Sequence, residues 1–381
     1  GRRIEPFFTP AWSPTLLLSC NYVTHFAALR RALVLEVGGL RDEMVGSQDH
    51  DLFLRAGERA RAVAHIPRVL YHWRMAPHST ATASTAKPYA IEAARRALAE
   101  AIERRGLAAT LEPSHLNGHF VARREPPRGA RVSLVVRGPG AAWQATLRSP
   151  DYTVRDIVAQ GDETGAPTMP DGVAVAPTVD DLTGDYVVWL DAGARPATPD
   201  AVARLLAALA EPGVGVAGGV THDRRGHVLQ AGIALGDGGR PAYAFAGLPD
   251  VPHQTIYLNL KDLAREVSAV HGGCAALRRA TWRALGGCTP DLPPPLAWTD
   301  LCLRANQRGE RVVCTPRAAF VADAPLPPLP DVAALAWPWR DFADPYWHPA
   351  LDPRAGDGLP FRHPRDAAPR VLPAATRAPV G

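Results

Sequence analysis

Lysine is nearly absent from this 381-residue chain, in which Lys87 and Lys261 are the only lysines among 42 basic residues. The arginines that replace it alternate with acidic residues, and the formal net charge is only +4. The sequence therefore presents no basic stripe of the kind that binds nucleic acid. It also has no apolar run of the roughly 18 residues that a membrane-spanning helix needs.

Cysteine is scarce as well. The five cysteines are scattered, odd in number and without a CxxC pair. This pattern fits reduced, mostly buried thiols in a cytosolic protein better than a disulfide framework or a zinc site. The 46% of hydrophobic and 21% of charged residues are those of an ordinary soluble globular protein.

An internal repeat organises what is present. LRRALVLEVGGL at 29–40 corresponds to LRRATWRALGGC at 277–288, and residues 48–72 align with 298–322, at an offset of 248 or 249 throughout. A fixed offset of this size indicates two tandem domains of one fold. Much less chain precedes the repeated segment in the first copy than in the second. We therefore expect an N-terminally truncated first domain, and a chain that is a fragment of a longer protein.

These considerations predict four segments. Residues 1–83 are the C-terminal half of a first domain, 84–129 a helical linker with a connecting strand, 130–324 a near-complete second domain, and 325–381 a Pro- and Arg-rich tail. Apolar segments alternate with helical ones in the second domain, which predicts an α/β fold with a largely parallel sheet.

Local patterns add expectations for single elements. The apolar segment 17–23 predicts a buried strand, and 26–40 a helix closed by two glycines. Residues 84–111 predict an amphipathic helix. Residues 353–381 have few periodic apolar positions and are expected to be extended or disordered.

Three carboxylates occupy positions that suggest chemistry. In an open α/β sheet, ligands bind at the carboxyl ends of the strands, and Asp191 directly follows the apolar segment YVVWL. Such a carboxylate either helps to hold a divalent metal or caps the end of the strand. Asp49 and Asp51 lie at a helix start, where acidic residues complement the helix dipole. We interpret Asp51 in that way, whereas Asp49 lies at the loop edge, within reach of a bound hydroxyl.

Several motifs resemble those of family 2 glycosyltransferases, which have the GT-A fold. The first copy carries WSPTLLLSCNY, LRRALVLEVGGLRDEMVGSQDHDLFLR and HIPRVLYHWR, and the second carries GDYVVWLDAGARP, VGVAGGVTHDRRGHVLQAGIALG and SAVHGGCAALRRATWRALGG. The resemblance covers residues 10–83 and 130–324, with the motifs in order and at the right spacing. It points to the large bacterial enzymes that build O-antigen and other surface polysaccharides, including rhamnosyltransferases.

The resemblance implies a GT-A (Rossmann-like) α/β fold, in one partial and one complete copy. It also implies inverting transfer of a sugar from a nucleotide-diphospho-sugar donor to a glycan or lipid-linked glycan acceptor. A base takes the proton of the acceptor hydroxyl, whose oxygen attacks the anomeric carbon while the nucleoside diphosphate leaves. Mg²⁺ or Mn²⁺ is the implied cofactor. The expected location is the cytoplasm, either free or at the cytoplasmic face of the inner membrane.

Site residues follow from the resemblance by position. Asp49 matches the family's catalytic base, and His72 matches a histidine near the metal and the diphosphate. Arg74 is either a phosphate contact or an exposed arginine at a strand end. Asp191 matches the one retained carboxylate of the DXD metal motif and is therefore a candidate for binding both the metal and the cofactor.

The second copy departs from the family at each chemical position. VVRGPG replaces the nucleotide loop, Gln160 replaces a nucleotide-binding Asp, Ala192-Gly193 shortens DXD, and Trp298 and Val321 stand in the slots of Asp49 and His72. We therefore expect the second copy, and this chain alone, to be inactive. The alternative function is a catalytically inactive GT-A module for glycan binding or scaffolding. No GxGxxG follows a strand, which disfavours a dehydrogenase-like protein.

Two further features each allow two interpretations. His271-Gly272-Gly273 lies where the family's sheet passes close to the donor sugar, but a tight turn explains the glycines equally well. The aromatic residues Trp337, Trp339, Tyr346 and Trp347 either stack on sugar rings or form a hydrophobic cluster that pins the tail. We favour the hydrophobic cluster.

Overall fold

The computed structural model describes residues 7–72, 88–116, 118–138, 142–160, 172–249, 260–353 and 370–373. The α-helices are α1 (Pro14–Leu17), α2 (Arg31–Glu36), α3 (Gln48–Arg59), α4 (Pro88–Arg104), α5 (Ala201–Leu209), α6 (Arg279–Leu285) and α7 (Pro294–Gln307). Short 3₁₀ turns cover Asp42–Met44, Ala142–Thr146, Val179–Asp181, Asp237–Gly239 and Val332–Ala334. In the described part of the chain, no helix is long and apolar enough to cross a membrane.

The strands before the centre of the chain are β1 (Ala62–His65), β2 (Ala109–Pro113), β3 (Phe120–Arg124), β4 (Ala130–Arg137), β5 (Tyr152–Gln160), β6 (Ala174–Val175), β7 (Tyr186–Asp191) and β8 (Ala194–Pro196). Those after it are β9 (Val214–His222), β10 (Val228–Gln230), β11 (Ile233–Leu235), β12 (Pro241–Tyr243), β13 (Arg265–Glu266), β14 (Cys274–Arg278), β15 (Arg311–Ala322) and β16 (Arg370–Pro373).

A ten-stranded sheet forms the centre of the molecule, in the order β13-β15-β9-β14-β7-β4-β5-β6, with β10 beside β9 and β8 beside β15. β4 is parallel to both β5 and β7, whereas β14 runs antiparallel between β7 and β9. The parallel register of β4 and β7 pairs Arg137 with Asp191 at the end of both strands. The predicted α/β class is confirmed, with a mixed sheet.

Alternating side chains of the sheet build one core on each face. On β7, Val188 and Leu190 pack with Leu205 of α5, while Val187 and Trp189 pack on the other face with Trp298 of α7. All six side chains are buried. Because successive strand residues point to opposite faces, this continuous apolar run needs cover on both sides, which α5 and α7 provide.

The N-terminal segment packs against the sheet domain through buried polar contacts. Glu266 of β13 accepts hydrogen bonds from the hydroxyls of Ser13 and Thr15, the latter over 2.6 Å. Arg311 donates to the same carboxylate over 2.8 Å. The predicted strand at 17–23 is wrong: α1 ends at Leu17 and no strand follows it before α2. The Ser19 carbonyl instead accepts a single hydrogen bond, from the Phe120 amide (2.9 Å).

The tail folds back onto the sheet domain as far as it is described. Trp337 and Trp339 are buried beside Leu296 and Leu303 of α7. Their indole nitrogens donate to Gly239 O (2.9 Å) and to Asp300 Oδ1 (2.7 Å), respectively. These rings therefore pin the tail, as we favoured. β16 pairs with β1. Residues 354–369 and 374–381, expected to be extended or disordered, lie outside the described residues.

Candidate active-site residues

Asp49 lies in the first turn of α3 and is half-buried. Its Oδ2 accepts a hydrogen bond from Asn21 Nδ2 (2.9 Å), and its Oδ1 accepts one from the His50 amide (2.9 Å). The Asn21 carbonyl oxygen in turn accepts from the Thr24 amide (3.3 Å), which fixes the orientation of its amide group. The carboxylate is thus oriented by neutral donors, a state in which it can accept a proton from a hydroxyl.

Asp51, two residues further on, is engaged differently. Its side chain is fully buried and forms ion pairs with Arg41 and Arg55. Burial raises the pKa of Asp51, but the hydrogen bonds and charges of the two guanidinium groups outweigh it, and the pKa is lowered overall. Both carboxylate oxygens of Asp51 accept hydrogen bonds from these guanidinium groups, and the side chain has no contact with solvent. Asp51 is thus engaged in structural contacts with two arginines, which the helix-dipole interpretation did not include.

The remaining predicted residues of the first segment add little to this site. His72 is exposed at the end of its described range. Arg74 lies outside the described residues. Asn21 is a site residue that the sequence reasoning missed, because a single Asn in an irregular segment carries no motif.

Asp191 ends β7, and both of its carboxylate oxygens are engaged. Oδ1 accepts from Arg137 Nη2 (2.9 Å), and Oδ2 contacts His271 Nε2 (2.8 Å). Burial raises the pKa of this carboxyl, but His271 and Arg137 together lower the pKa to about 2. Arg137 is the partner that sequence reasoning missed, although its parallel register with Asp191 follows from the pairing of β4 with β7.

The space around this carboxylate is filled by the protein. A Cβ on Gly273 would lie 1.9 Å from Asp191 Oδ2, and one on Gly272 would lie 2.7 Å from the Trp298 ring. Both glycines are therefore required by close packing inside the protein. Trp298, which stands in the slot of Asp49, is only 1% exposed and packs on Trp189 in the core (5.1 Å between ring centroids).

The residues at this sheet edge do not fit the metal that the resemblance implies. Mg²⁺ and Mn²⁺ are hard cations that favour several oxygen ligands, whereas Ala192 and Gly193 offer no side-chain ligand. The one carboxylate is already paired with a guanidinium group. Among the described residues, no group of three or more His, Cys, Asp or Glu side chains is placed to hold a metal ion.

A cavity of about 500 Å³ lies between α7 and the tail. It is lined by Thr289, Asp300, Arg304 and Trp339, among others. Asp300 accepts hydrogen bonds from the other three over 2.6–2.8 Å. The buried polar groups of this cavity therefore satisfy one another and do not indicate a ligand.

Comparison with known proteins gives two curated relatives. The chain is 29% identical over 407 residues to the O-antigen biosynthesis protein RfbC of Myxococcus xanthus, covering 96% of this chain and 32% of that protein. It is 29% identical over 411 residues to the uncharacterized protein y4gI of Sinorhizobium fredii, covering 92% and 44%. The chain thus spans about a third and less than half of the length of these relatives. No family model matches the sequence.

Among solved structures, the chain overlaps with two glycosyltransferases. One is the mannosyltransferase PcManGT from Pyrobaculum calidifontis in complex with GDP-Man and Mn²⁺, with a TM-score of 0.35 and 18% identity over 56% of this chain and 61% of that one. The other is GalNAc-T7 with UDP, GalNAc and Mn²⁺, with a TM-score of 0.37 and 13% identity over 57% and 48%. Neither overlap is close enough to carry an argument about activity. The chain is similar to an O-antigen biosynthesis protein and has an α/β fold.

Proposed function

We propose that this chain is part of an inverting GT-A glycosyltransferase that moves a hexosyl or deoxyhexosyl group from a nucleotide-diphospho-sugar to a polysaccharide or glycolipid acceptor. Its similarity to an O-antigen biosynthesis protein supports a role in bacterial cell-surface glycan synthesis. We place this role in the cytoplasm, at the face of the inner membrane where lipid-linked acceptors are available. The observation that carries the proposal is the contrast between Asp49, held by neutral donors, and Asp51, closed in ion pairs.

In this proposal Asp49 is the general base. It takes the proton from the acceptor hydroxyl as the hydroxyl oxygen attacks the anomeric carbon, and the nucleoside diphosphate leaves. The Asn21 side chain and the His50 amide each donate to one oxygen of Asp49, and together they keep the carboxylate in a constant orientation for the acceptor. A divalent cation, Mg²⁺ or Mn²⁺, belongs to the proposal only as a cofactor of the whole gene product. Because the Asp191 edge does not fit such a cation, no step of the proposed transfer uses it.

The second candidate function concerns the sheet domain alone, as a catalytically inactive GT-A module for glycan binding or scaffolding. One observation favours it. At the position equivalent to Asp49 stands Trp298, which is buried and accepts no proton. If both proposals hold, the first segment provides the base of a transferase and the sheet domain has a structural or glycan-binding role.

The experiment is a transfer assay on the gene product that carries this chain, in crude membranes as source of acceptor. Asp49→Asn should lower kcat by about 10²–10⁴-fold, the usual contribution of a general base. Asn21→Ala should lower kcat by roughly 10-fold to 100-fold, with the KM for the acceptor unchanged, because only the orientation of the base is lost. Asp42→Asn, an exposed carboxylate of the same segment, is the matched control.

Loss of folded protein in the Asp49→Asn variant, with full activity per folded molecule, would make Asp49 a structural helix-start residue. The second candidate function would then be preferred for the whole chain.

A further inference from the structure

Three neighbouring parts of the main sheet meet at the Asp191 carboxylate. Arg137 is the last residue of β4, Asp191 the last residue of β7, and His271 lies in the turn before β14. Backbone hydrogen bonds hold these segments together: the Asp191 amide donates to Gly273 O (2.9 Å), and the Ala192 amide donates to Arg137 O (2.8 Å). The ion pair is therefore held by the main chain on both sides.

The arginine is packed as well as paired. Its guanidinium carbon lies 5.7 Å from the centroid of the Trp189 ring, and its side chain is 19% exposed. Trp189 in turn packs on Trp298, which occupies the space over Gly272. A guanidinium group keeps its charge at all accessible pH values and stacks well on an aromatic face. The position of Arg137 is thus built into the core of the domain.

We propose that Arg137 is the permanent counter-ion of Asp191 and, with His271, takes the place of a divalent cation at this sheet edge. The positive charge that balances the carboxylate comes from the protein itself, and the domain is complete without metal. This inference does not depend on the proposed transfer activity. The opposite possibility is that Asp191 and His271 are two ligands of a metal, since carboxylate oxygen and imidazole nitrogen both bind such ions.

A second arginine–aspartate pair between the same strands provides a matched control. Arg131 and Asp185, near the opposite end of β4 and β7, form an ion pair over 2.6 Å with both side chains about half exposed. Exposed pairs of this kind contribute little to stability. The two pairs therefore differ mainly in burial and in the packing of the arginine.

The experiment measures thermal unfolding of the purified chain after treatment with EDTA, with and without millimolar Mn²⁺ or Mg²⁺, together with Mn²⁺ binding by electron paramagnetic resonance. The variants are Arg137→Met, Asp191→Asn, their double variant and the corresponding set at Arg131 and Asp185. We expect no saturable Mn²⁺ binding and no change of Tm with metal. Arg137→Met and Asp191→Asn should each lower Tm by roughly 5–10 °C. The double variant should lower Tm by clearly less than the sum of the two single changes. For Arg131 and Asp185, the effect of the double variant should be close to the sum of the single effects.

Two results would overturn the proposal. One is saturable Mn²⁺ binding that raises the Tm of the unmodified chain and is removed by Asp191→Asn or His271→Gln. The other is a coupling between Arg137 and Asp191 no larger than that between Arg131 and Asp185. If Asp191→Asn does not fold, the unmodified chain and His271→Gln still decide, because a metal site binds Mn²⁺ with Arg137 in place and loses it with His271, whereas a counter-ion pair shows no saturable binding in either chain.

Discussion

Asp51 and Asp300 lie 249 residues apart and share one set of contacts. Each accepts a hydrogen bond from the arginine four residues later, Arg55 in one case and Arg304 in the other. Each arginine also donates to two backbone carbonyls at the end of the preceding helix. These carbonyls belong to Val37 and Gly39 in the first segment and to Leu285 and Gly287 in the second. A carboxylate–arginine clamp thus joins two consecutive helices in both halves of the chain.

Because Asp51 is part of this clamp, its replacement should strongly lower the stability of the chain. Asp51→Asn should destabilise the chain by about 3–5 kcal/mol, because it leaves Arg55 buried without its charge partner and weakens the hold on the two carbonyls. Asp300→Asn should cost less, since the Arg304 side chain is 25% exposed against 9% for Arg55. Thermal unfolding, with Asp42→Asn as the exposed control, measures both. An Asp51→Asn chain as stable as the control would show that the clamp does not hold the helices.

Two histidines, His65 half-buried and His348 buried, indicate how stability depends on pH. The ring centroids of His65 and His348 lie 6.0 Å apart. The Ala350 amide donates to His348 Nδ1 (3.1 Å), and this hydrogen bond requires Nδ1 to be unprotonated. Burial, with the nearby charge of Arg370, lowers the pKa of His65 to about 4. Burial, His65 and Arg370 lower the pKa of His348 to about 3.

Both pKa values lie below the ordinary 6.5, so the unfolded chain binds protons first as the pH falls. Stability should therefore decrease below pH 6.5 by up to about 1.4 kcal/mol per pH unit for each histidine, and this loss should level off near the native pKa values. His65→Gln with His348→Asn keeps the accepting atoms and should flatten the Tm profile between about pH 5 and 6.5. An unchanged slope in the double variant would assign the pH dependence to other groups.

Because Gly272 lies against Trp298, a side chain added at position 272 should clash with the indole ring. Gly272→Ala places a Cβ 2.7 Å from the indole ring and should destabilise the chain by about 1–3 kcal/mol, the usual cost of overpacking a core. Gly193→Ala is the control, because a Cβ there meets no atom within 4 Å. Replacing Trp298 by Leu in the Gly272→Ala background should recover part of the loss. Equal Tm values for the two alanine variants would contradict the packing account of Gly272.

The α/β class and several helices were predictable from the sequence because their signals are local. The two glycines after α2 have positive φ values of 84° and 68°, and those after α6 have 70° and 72°, as expected for helix ends. The structural interpretation of Asp51 also came from a local rule on helix starts. The domain boundaries at 83, 129 and 324 stay a prediction, as do the roles of Asp49, His72 and Arg74.

Features that depend on distant partners were not predictable in the same way. The segment 17–23 is apolar enough for a strand, but a strand also needs a neighbouring strand to pair with, and its chain position does not show whether one is present. Arg137 looked like a departure from a nucleotide loop, because its partner Asp191 is 54 residues away in sequence. The pairing of β4 with β7 makes these two residues neighbours, and only the sheet order shows it.

We propose, above all, that this chain provides the base of a transferase but no working donor site at the Asp191 edge. Calorimetric titration of the purified chain with UDP- and dTDP-sugars in the presence of Mg²⁺ or Mn²⁺, followed by a donor-hydrolysis assay on the same sample, tests it most directly. We predict no metal-dependent binding and no turnover, because Arg137 and His271 occupy the carboxylate of Asp191 and the buried Trp298 stands at the position that corresponds to the proposed base, Asp49. Metal-dependent binding in the micromolar range together with turnover of the donor would contradict it.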